Sequence, residues 1–147
     1  MERAEVVAKG SHDSETKVGA VLVKNDSGAV IADGCNGFVR GAPDAILPTT
    51  RPDKYKYIVH AESNLIANCV RHGIAANNCM LVCTMSPCVT CMRLLYQSGI
   101  TKIIVKEKYR DFHELVLMDD IYICEKRTPE GYWELTYTSH PQQQASG

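Results

Sequence analysis

His60-Ala61-Glu62 opens and Ser86-Pro87-Cys88-Val89-Thr90-Cys91 closes the stretch around which this chain is organised. Each piece reads as the start of a helix. After Glu62, the run Ser63-Asn64-Leu65-Ile66-Ala67-Asn68-Cys69-Val70 has apolar residues at helical spacing and a stop at Gly73. Ser86 reads as an N-cap, and Pro87 suits a first helical position, where its missing N–H has no partner anyway. Cys88 and Cys91 then share one face of the first turn, where the partial positive charge of a helix N-terminus favours thiolate over thiol. One imidazole and two thiolates suit zinc, and three protein ligands leave a fourth position for water. Zinc brings such a water near neutral pKa. Glu62, beside the histidine but not needed as a ligand, is placed to move protons.

This H-x-E then P-C-x-x-C arrangement resembles the signature of the zinc-dependent nucleobase deaminases. The match includes the acid/base glutamate, the proline before the first cysteine, the cysteine pair and a helix start at both ends. The competing readings are a structural zinc knot or two chance pieces. A structural site usually has four protein ligands, and no further His or Cys lies at finger-like spacing.

Outward from the motif, 147 residues suit one domain over 1–147, with a core over about 1–126 and a C-terminal hairpin and frayed tail over 127–147. Apolar content of 45% and charged content of 22% are those of an ordinary globular chain. A net charge of −1 argues against a broad nucleic-acid-binding surface. No apolar run approaches membrane-spanning length, and the N-terminus lacks a signal peptide's apolar stretch. The seven cysteines are odd in number; two are assigned to zinc, and Cys35, Cys69, Cys79, Cys83 and Cys124 are scattered through apolar segments. That pattern predicts small buried thiols in a reducing cytoplasm, the host's if the source is a phage.

In chain order, the pattern predicts a short helix over 2–9, a central apolar strand over 17–24, a turn at Asn25-Asp26-Ser27-Gly28 and a second hairpin strand over 29–33. Gly34-Cys35-Asn36-Gly37-Phe38-Val39-Arg40-Gly41 follows, a loop where backbone approaches a ligand or simply crosses the surface. Residues 42–57 are proline-rich, aperiodic and basic through Arg51, Lys54 and Lys56, and lead straight into His60, which favours a functional loop. The His60 helix, a strand over 79–85, the Cys88 helix to about Gln97, a strand over 101–105, a charged loop over 106–111, a short helix over 112–118, a strand over 121–124 and one more over 132–137 complete the reading. The expected class is α/β, a mixed five-stranded sheet with helices packed on its faces, and both zinc-binding helix starts lie at one edge of it.

Beyond the zinc motif, the chain resembles the deoxycytidylate (dCMP) deaminase family from about residue 4 to 112. Ser11-His12-Asp13 with Thr16-Lys17-Val18-Gly19-Ala20 resembles that family's opening. Gly34-Cys35-Asn36-Gly37-Phe38 resembles its glycine-rich loop, although Val39-Arg40 stands where a proline is expected. Arg51-Pro52-Asp53-Lys54-Tyr55 resembles its run into the catalytic helix, and Tyr109-Arg110-Asp111 its segment after the fourth strand. The resemblance implies a cytidine-deaminase-like three-layer α/β/α fold and hydrolysis of dCMP to dUMP and ammonia, feeding thymidylate synthesis. His60, Cys88 and Cys91 would hold Zn2+, and Glu62 would take a proton from water, deliver it to N3 and later protonate the departing amine. Asn36, Ala61, Ser86, Tyr109, Arg110 and Ser11 would contact substrate, Asn36 at the sugar and Arg110 at the 5′-phosphate. Arg110 reads equally as a surface arginine, and Ser11 equally as a turn or cap residue.

The resemblance also implies a homohexamer activated by dCTP and inhibited by dTTP with Mg2+. Gly34, Gly37, Phe38, Arg40 and Gly41 are the candidate effector contacts, through a backbone anion nest. His12, His72, His113 and His140 have no ligand spacing and read as surface or core histidines. Four alternatives stand beside this reading. A tRNA adenosine deaminase or a single-stranded DNA cytosine deaminase would want a basic surface, the latter with stacking aromatics. A deaminase of a free nucleoside or other small base is the nearer rival. An idle zinc-binding protein is opposed by the retained Glu62. No nucleic-acid or membrane partner is expected.

Overall fold

The computed structural model describes residues 1–43, 45–109, 112 and 119–138. The near-continuous apolar run after Lys17 forms β1 (Gly19–Lys24), with β2 (Val30–Cys35) folding back beside it. The helix α1 (Glu2–Ala8) precedes them. A short 3-10 helix, Asp53–Lys56, lies in the proline-rich loop. Then come α2 (Ala61–His72), β3 (Cys79–Met85), α3 (Val89–Gln97), β4 (Lys102–Glu107), β5 (Tyr122–Arg127) and β6 (Trp133–Thr138). One mixed sheet results, in the order β2-β1-β3-β4-β6-β5. Among the described strands only β3 and β4 run parallel, and α3 is the crossover that a parallel pair requires.

The sheet has six strands rather than the five expected, because the last two pair with each other and β6 also pairs with β4. β1, flanked by β2 and β3, is interior as its apolar run predicts. On one face, Leu22, Leu81, Cys83, Ile103 and Val105 pack against Leu65 and Cys69 of α2 and Met92 and Leu95 of α3. On the other, Val21, Val23 and Val82 pack against Ala4 of α1. Among the described residues the three layers are therefore one helix, the sheet, and two helices. Burying a Leu, Val or Met side chain contributes roughly 1.5–3 kcal/mol, so the two clusters anchor the helices that carry the site.

Three local expectations change. The Cys88 helix begins at Val89 with Cys88 itself as N-cap, its sulfur accepting from the Cys91 N–H. Ser86 is not the cap: its hydroxyl accepts from the Tyr109 N–H at 2.8 Å, and its own N–H bonds the Glu107 carbonyl, so it ties the ends of β3 and β4 together. Lys106 and Glu107 belong to β4 rather than to a charged loop. None of the seven cysteines is in a disulfide; of the five expected as buried thiols, Cys69, Cys79 and Cys83 are buried, but Cys124 is exposed on the edge strand β5 and Cys35 is half-buried. The short helix read over 112–118 and the tail beyond 138 lie outside the described residues, Phe112 excepted. Among the described residues no helix is long and apolar enough to cross a membrane.

Candidate metal centre and its cavity

The two helix starts meet. His60 is the N-cap of α2 and Cys88 the N-cap of α3, while Cys91 lies in the first turn of α3. His60 Nδ1 is 3.5 Å from Cys88 Sγ and 3.5 Å from Cys91 Sγ. A tetrahedral zinc ion with ordinary Zn–S and Zn–N bonds separates its nitrogen and sulfur ligands by about 3.6 Å. The three side chains therefore stand at the spacing a single ion requires. Among the described residues these three form the one His/Cys/Asp/Glu cluster whose ligand atoms lie within 4.8 Å of one another. Cys91 is buried, Cys88 half-buried and His60 exposed, so the cluster is closed on the core side and open on the other.

The electrostatics suit a cation. Cys88 is drawn well below the ordinary thiol range, chiefly by the hydrogen bond from the Cys91 side chain, against the opposing pull of burial, and further by His60 and the Cys91 N–H. Cys91 is driven up by that same shared hydrogen bond and by burial. A thiol binds metal as its thiolate, so the pull on Cys88 favours a bound cation. Glu62 is 4% exposed. Burial pushes its carboxyl up; its own backbone N–H and His60 draw it back, and Cys88 adds to the rise. A buried carboxyl whose pKa is raised is suited to giving and taking protons.

A cavity of about 320 Å³ opens beside the cluster at the C-terminal ends of β3 and β4. His60, Glu62 and Cys88 line one part of it, with Ala61, Met85 and Ser86. Asn36, at the end of β2, and Tyr109, just past β4, line it too. The proline-rich loop supplies the remaining wall through Arg51, Lys54, Tyr55 and Ile58, which answers why so long a loop is present. Arg51 Nε donates to Tyr55 Oη at 2.7 Å and Nη2 to Thr16 Oγ1 at 2.7 Å, and Nη1 pairs with Glu15 at 3.1 Å. Lys54 is nearly fully buried, with both Asp13 oxygens at 3.0 and 2.8 Å.

The structure thus brings together His60, Ala61, Glu62, Cys88, Ser86, Asn36 and Tyr109, with Cys91 behind them. Ser11 does not join them. It is buried away from the cavity lining, and its hydroxyl accepts from the Asp13 N–H at 3.1 Å, the turn role. Arg110 lies outside the described residues. In the glycine-rich segment, Gly34 is part of β2, and a Cβ there would stand 2.6 Å from the Leu65 nitrogen and 2.7 Å from the Ala61 carbonyl oxygen. Its lack of a side chain admits α2, not a ligand. The Gly37 N–H bonds the Val59 carbonyl at 3.0 Å, and Arg40 donates to Asn68 at 2.6 Å. Any anion nest is therefore confined to the backbone of 38–41, where Gly41 has φ +77°. Asp13, Thr16, Arg51, Lys54 and Tyr55 had no assigned role from sequence. They fall in two of the stretches quoted above for the family resemblance, but the pairing of Asp13 with Lys54 spans 41 residues and no local spacing reveals it.

Residues 1–107 match the family model for the cytidine and deoxycytidylate deaminase zinc-binding region. The chain is 33% identical over 114 residues to a human deoxycytidylate deaminase, covering 73% of this chain and 62% of that one. It is 34% identical over 116 residues to a probable deoxycytidylate deaminase of Drosophila melanogaster, covering 71% and 56%. The chain therefore spans less than two thirds of the length of these curated relatives. A crystal structure of the dCMP deaminase from cyanophage S-TIM5 in complex with dCMP and dUMP superposes with a TM-score of 0.62 at 28% identity, covering 79% of this chain and 85% of that one.

Proposed function

The chain belongs to the family of the cytidine and deoxycytidylate deaminase zinc-binding region, and from that premise we propose that it hydrolyses dCMP to dUMP and ammonia. One observation carries the proposal: His60, Cys88, Glu62 and Asn36 all face a single cavity sized for a small ligand. Zinc, held by His60, Cys88 and Cys91, would lower the pKa of water and so supply the nucleophile.

The chain's own residues do the rest. Ala61 is the first residue of α2, where the backbone N–H has no partner within the helix, and it donates to the cytosine carbonyl. The Ser86 carbonyl accepts from the 4-amino group. Glu62 receives the first proton lost from water and passes it to N3 as the ring is attacked at C4; it then takes the second proton from the oxygen now on C4 and delivers it to the amine, which leaves as ammonia as the C4 carbonyl forms. Asn36 contacts the sugar and Tyr109 covers it. The 5′-phosphate is met by Arg110, next in sequence to Tyr109, and by Arg51, which brings a positive charge to the cavity wall.

Further along the same reading, a homo-oligomer, a hexamer, takes dCTP as activator and dTTP with Mg2+ as inhibitor through residues 38–41, in a cytoplasm where dUMP enters thymidylate synthesis. Supporting the nucleotide reading are the matches to deoxycytidylate deaminases and the Arg51 guanidinium on the cavity wall. The test measures ammonia release from dCMP, deoxycytidine and a tRNA anticodon stem. The expected outcome is a strong preference for dCMP, reduced in Arg110→Ala and Arg51→Ala more than the rate on deoxycytidine falls. Equal rates on dCMP and deoxycytidine would replace the reading with a nucleoside deaminase.

A further inference from the structure

The cavity wall contains a buried ion pair that no step above uses. Asp13 is 1% exposed and Lys54 2%. Asp13 Oδ1 accepts from Lys54 Nζ at 3.0 Å and from the Glu15 and Thr16 N–H groups at 2.8 and 3.0 Å. Its Oδ2 accepts from Lys54 Nζ at 2.8 Å and from Asn36 Nδ2 at 3.3 Å. Three distant segments, the turn after α1, the end of β2 and the 3-10 helix, converge on one carboxylate.

Stability alone gives no reason for charge at this point. A buried ion pair recovers its desolvation cost only with excellent geometry, and an apolar pair of similar volume often holds a fold as well or better. What an apolar pair cannot do is orient an amide. Asn36 Nδ2 also donates to the Thr16 carbonyl at 2.8 Å, and Asn36 Oδ1 accepts from the Val18 N–H at 2.9 Å. Both Nδ2 hydrogens are therefore used inside the protein. The backbone partners allow no flip, because Val18 offers only a donor and Thr16 only an acceptor. A carbonyl oxygen has two lone pairs, so Oδ1 keeps one.

The geometry points to Asp13 and Lys54 as positioning residues. Their ion pair holds the Asn36 amide so that it meets a ligand as an acceptor only, which selects a sugar hydroxyl that donates. This rests on the reading of the cavity as a cytosine-nucleotide site. For dCMP the hydroxyl in question is the one on C3′, the only hydroxyl of that sugar. Lys54 is essential to the arrangement, because an unpaired buried carboxylate takes up a proton and then offers Asn36 a hydroxyl in place of an acceptor.

The experiment compares kcat/KM for dCMP with that for 2′,3′-dideoxycytidine 5′-monophosphate, which lacks the hydroxyl. The zinc-loaded wild type is expected to favour dCMP by about tenfold, the value of one well-made hydrogen bond. In Asn36→Ala, Asp13→Asn and Lys54→Met the ratio should fall toward one, chiefly through a higher KM for dCMP, with zinc still bound. Lys54→Arg, which keeps the charge, should restore most of it. If the neutral variants fail to fold, Asp13→Glu carries the same comparison, since it keeps the charge but displaces the carboxylate. A ratio unchanged in the pair's variants, or absent in the wild type, overturns the inference while leaving deamination intact. A wild type inert toward dCMP overturns the underlying reading instead.

Discussion

Glu62 and the three candidate ligands divide the chemistry between them in a way that mutation can separate. Glu62→Gln keeps the shape of the side chain and removes its proton transfer. It is expected to retain zinc and fold while turnover on dCMP drops by at least about 10²–10⁴-fold, the usual contribution of a general acid–base group. Metal content and rate are measured on the same sample, and near-normal activity refutes the role. Cys88→Ser or Cys91→Ala should instead lose metal, activity and stability together, whereas Cys69→Ala and Cys124→Ala should stay fully loaded by metal analysis. Asp13 gives a prediction in pH. Burial pushes its carboxyl up, but Lys54 and the Thr16 and Glu15 N–H groups outweigh that, and the folded pKa lies below the ordinary value. A depressed carboxylate contributes stability that is present above its unfolded pKa and is lost as pH falls through its folded one. Lys54→Met should therefore lower the thermal midpoint strongly near pH 7, and the gap to wild type should narrow only as pH falls below the ordinary carboxylate range, where the paired Asp13 protonates and its stabilisation is lost. A gap that stays constant below that range as well would mean that the pair is not ionised in the fold.

At the scale of elements, the site depends on how closely α2 lies on β2. Gly34 makes that contact possible, and on either side of it Asn64 and Asn68 of α2 donate to the Cys35 and Asp33 carbonyls of β2. Gly34→Ala must push α2 outward at the turn that carries His60 and Glu62. The expected cost is about 1–3 kcal/mol, typical of overpacking, read as a lower urea midpoint, together with weaker zinc retention because His60 moves away from Cys88 and Cys91. Unchanged midpoint and zinc content would show that the helix shifts freely. At the other end of α2, Gly73 takes φ +66° as the helix terminator, the stop legible in the sequence.

For the whole molecule, regulation requires two states with different affinities for the two triphosphates. The expected behaviour is inhibition by dTTP with Mg2+ at subsaturating dCMP and recovery with dCTP, accompanied by a native mass of several chains. A hyperbolic dCMP curve that neither nucleotide alters would leave residues 38–41 as an ordinary surface loop. The segment is a limited platform for this, since the N–H groups of Asn36 and Gly37 already bond Val18 and Val59.

The sequence by itself determined the clustering of His60, Cys88 and Cys91, the place of Glu62 beside them, the strand at 79–85 and the stop at Gly73. Each is a short-range pattern: a helix start, a cysteine pair one turn apart and an apolar run announce themselves within a few residues. The sixth strand's place in the sheet, Cys88 rather than Ser86 as the cap of α3, and the reason for Gly34 were decided only by tertiary structure. Strand order, the Ser86–Tyr109 bond and the seat of α2 are contacts between residues far apart in the chain. The Asp13–Lys54–Asn36 network is the extreme case. Its partners are 41 and 23 residues from Asp13. Nothing in the local pattern of an acidic turn residue or a loop lysine distinguishes it from a solvated charge. Only the removal of both groups from water makes the pairing obligatory, and burial is a property of the folded chain.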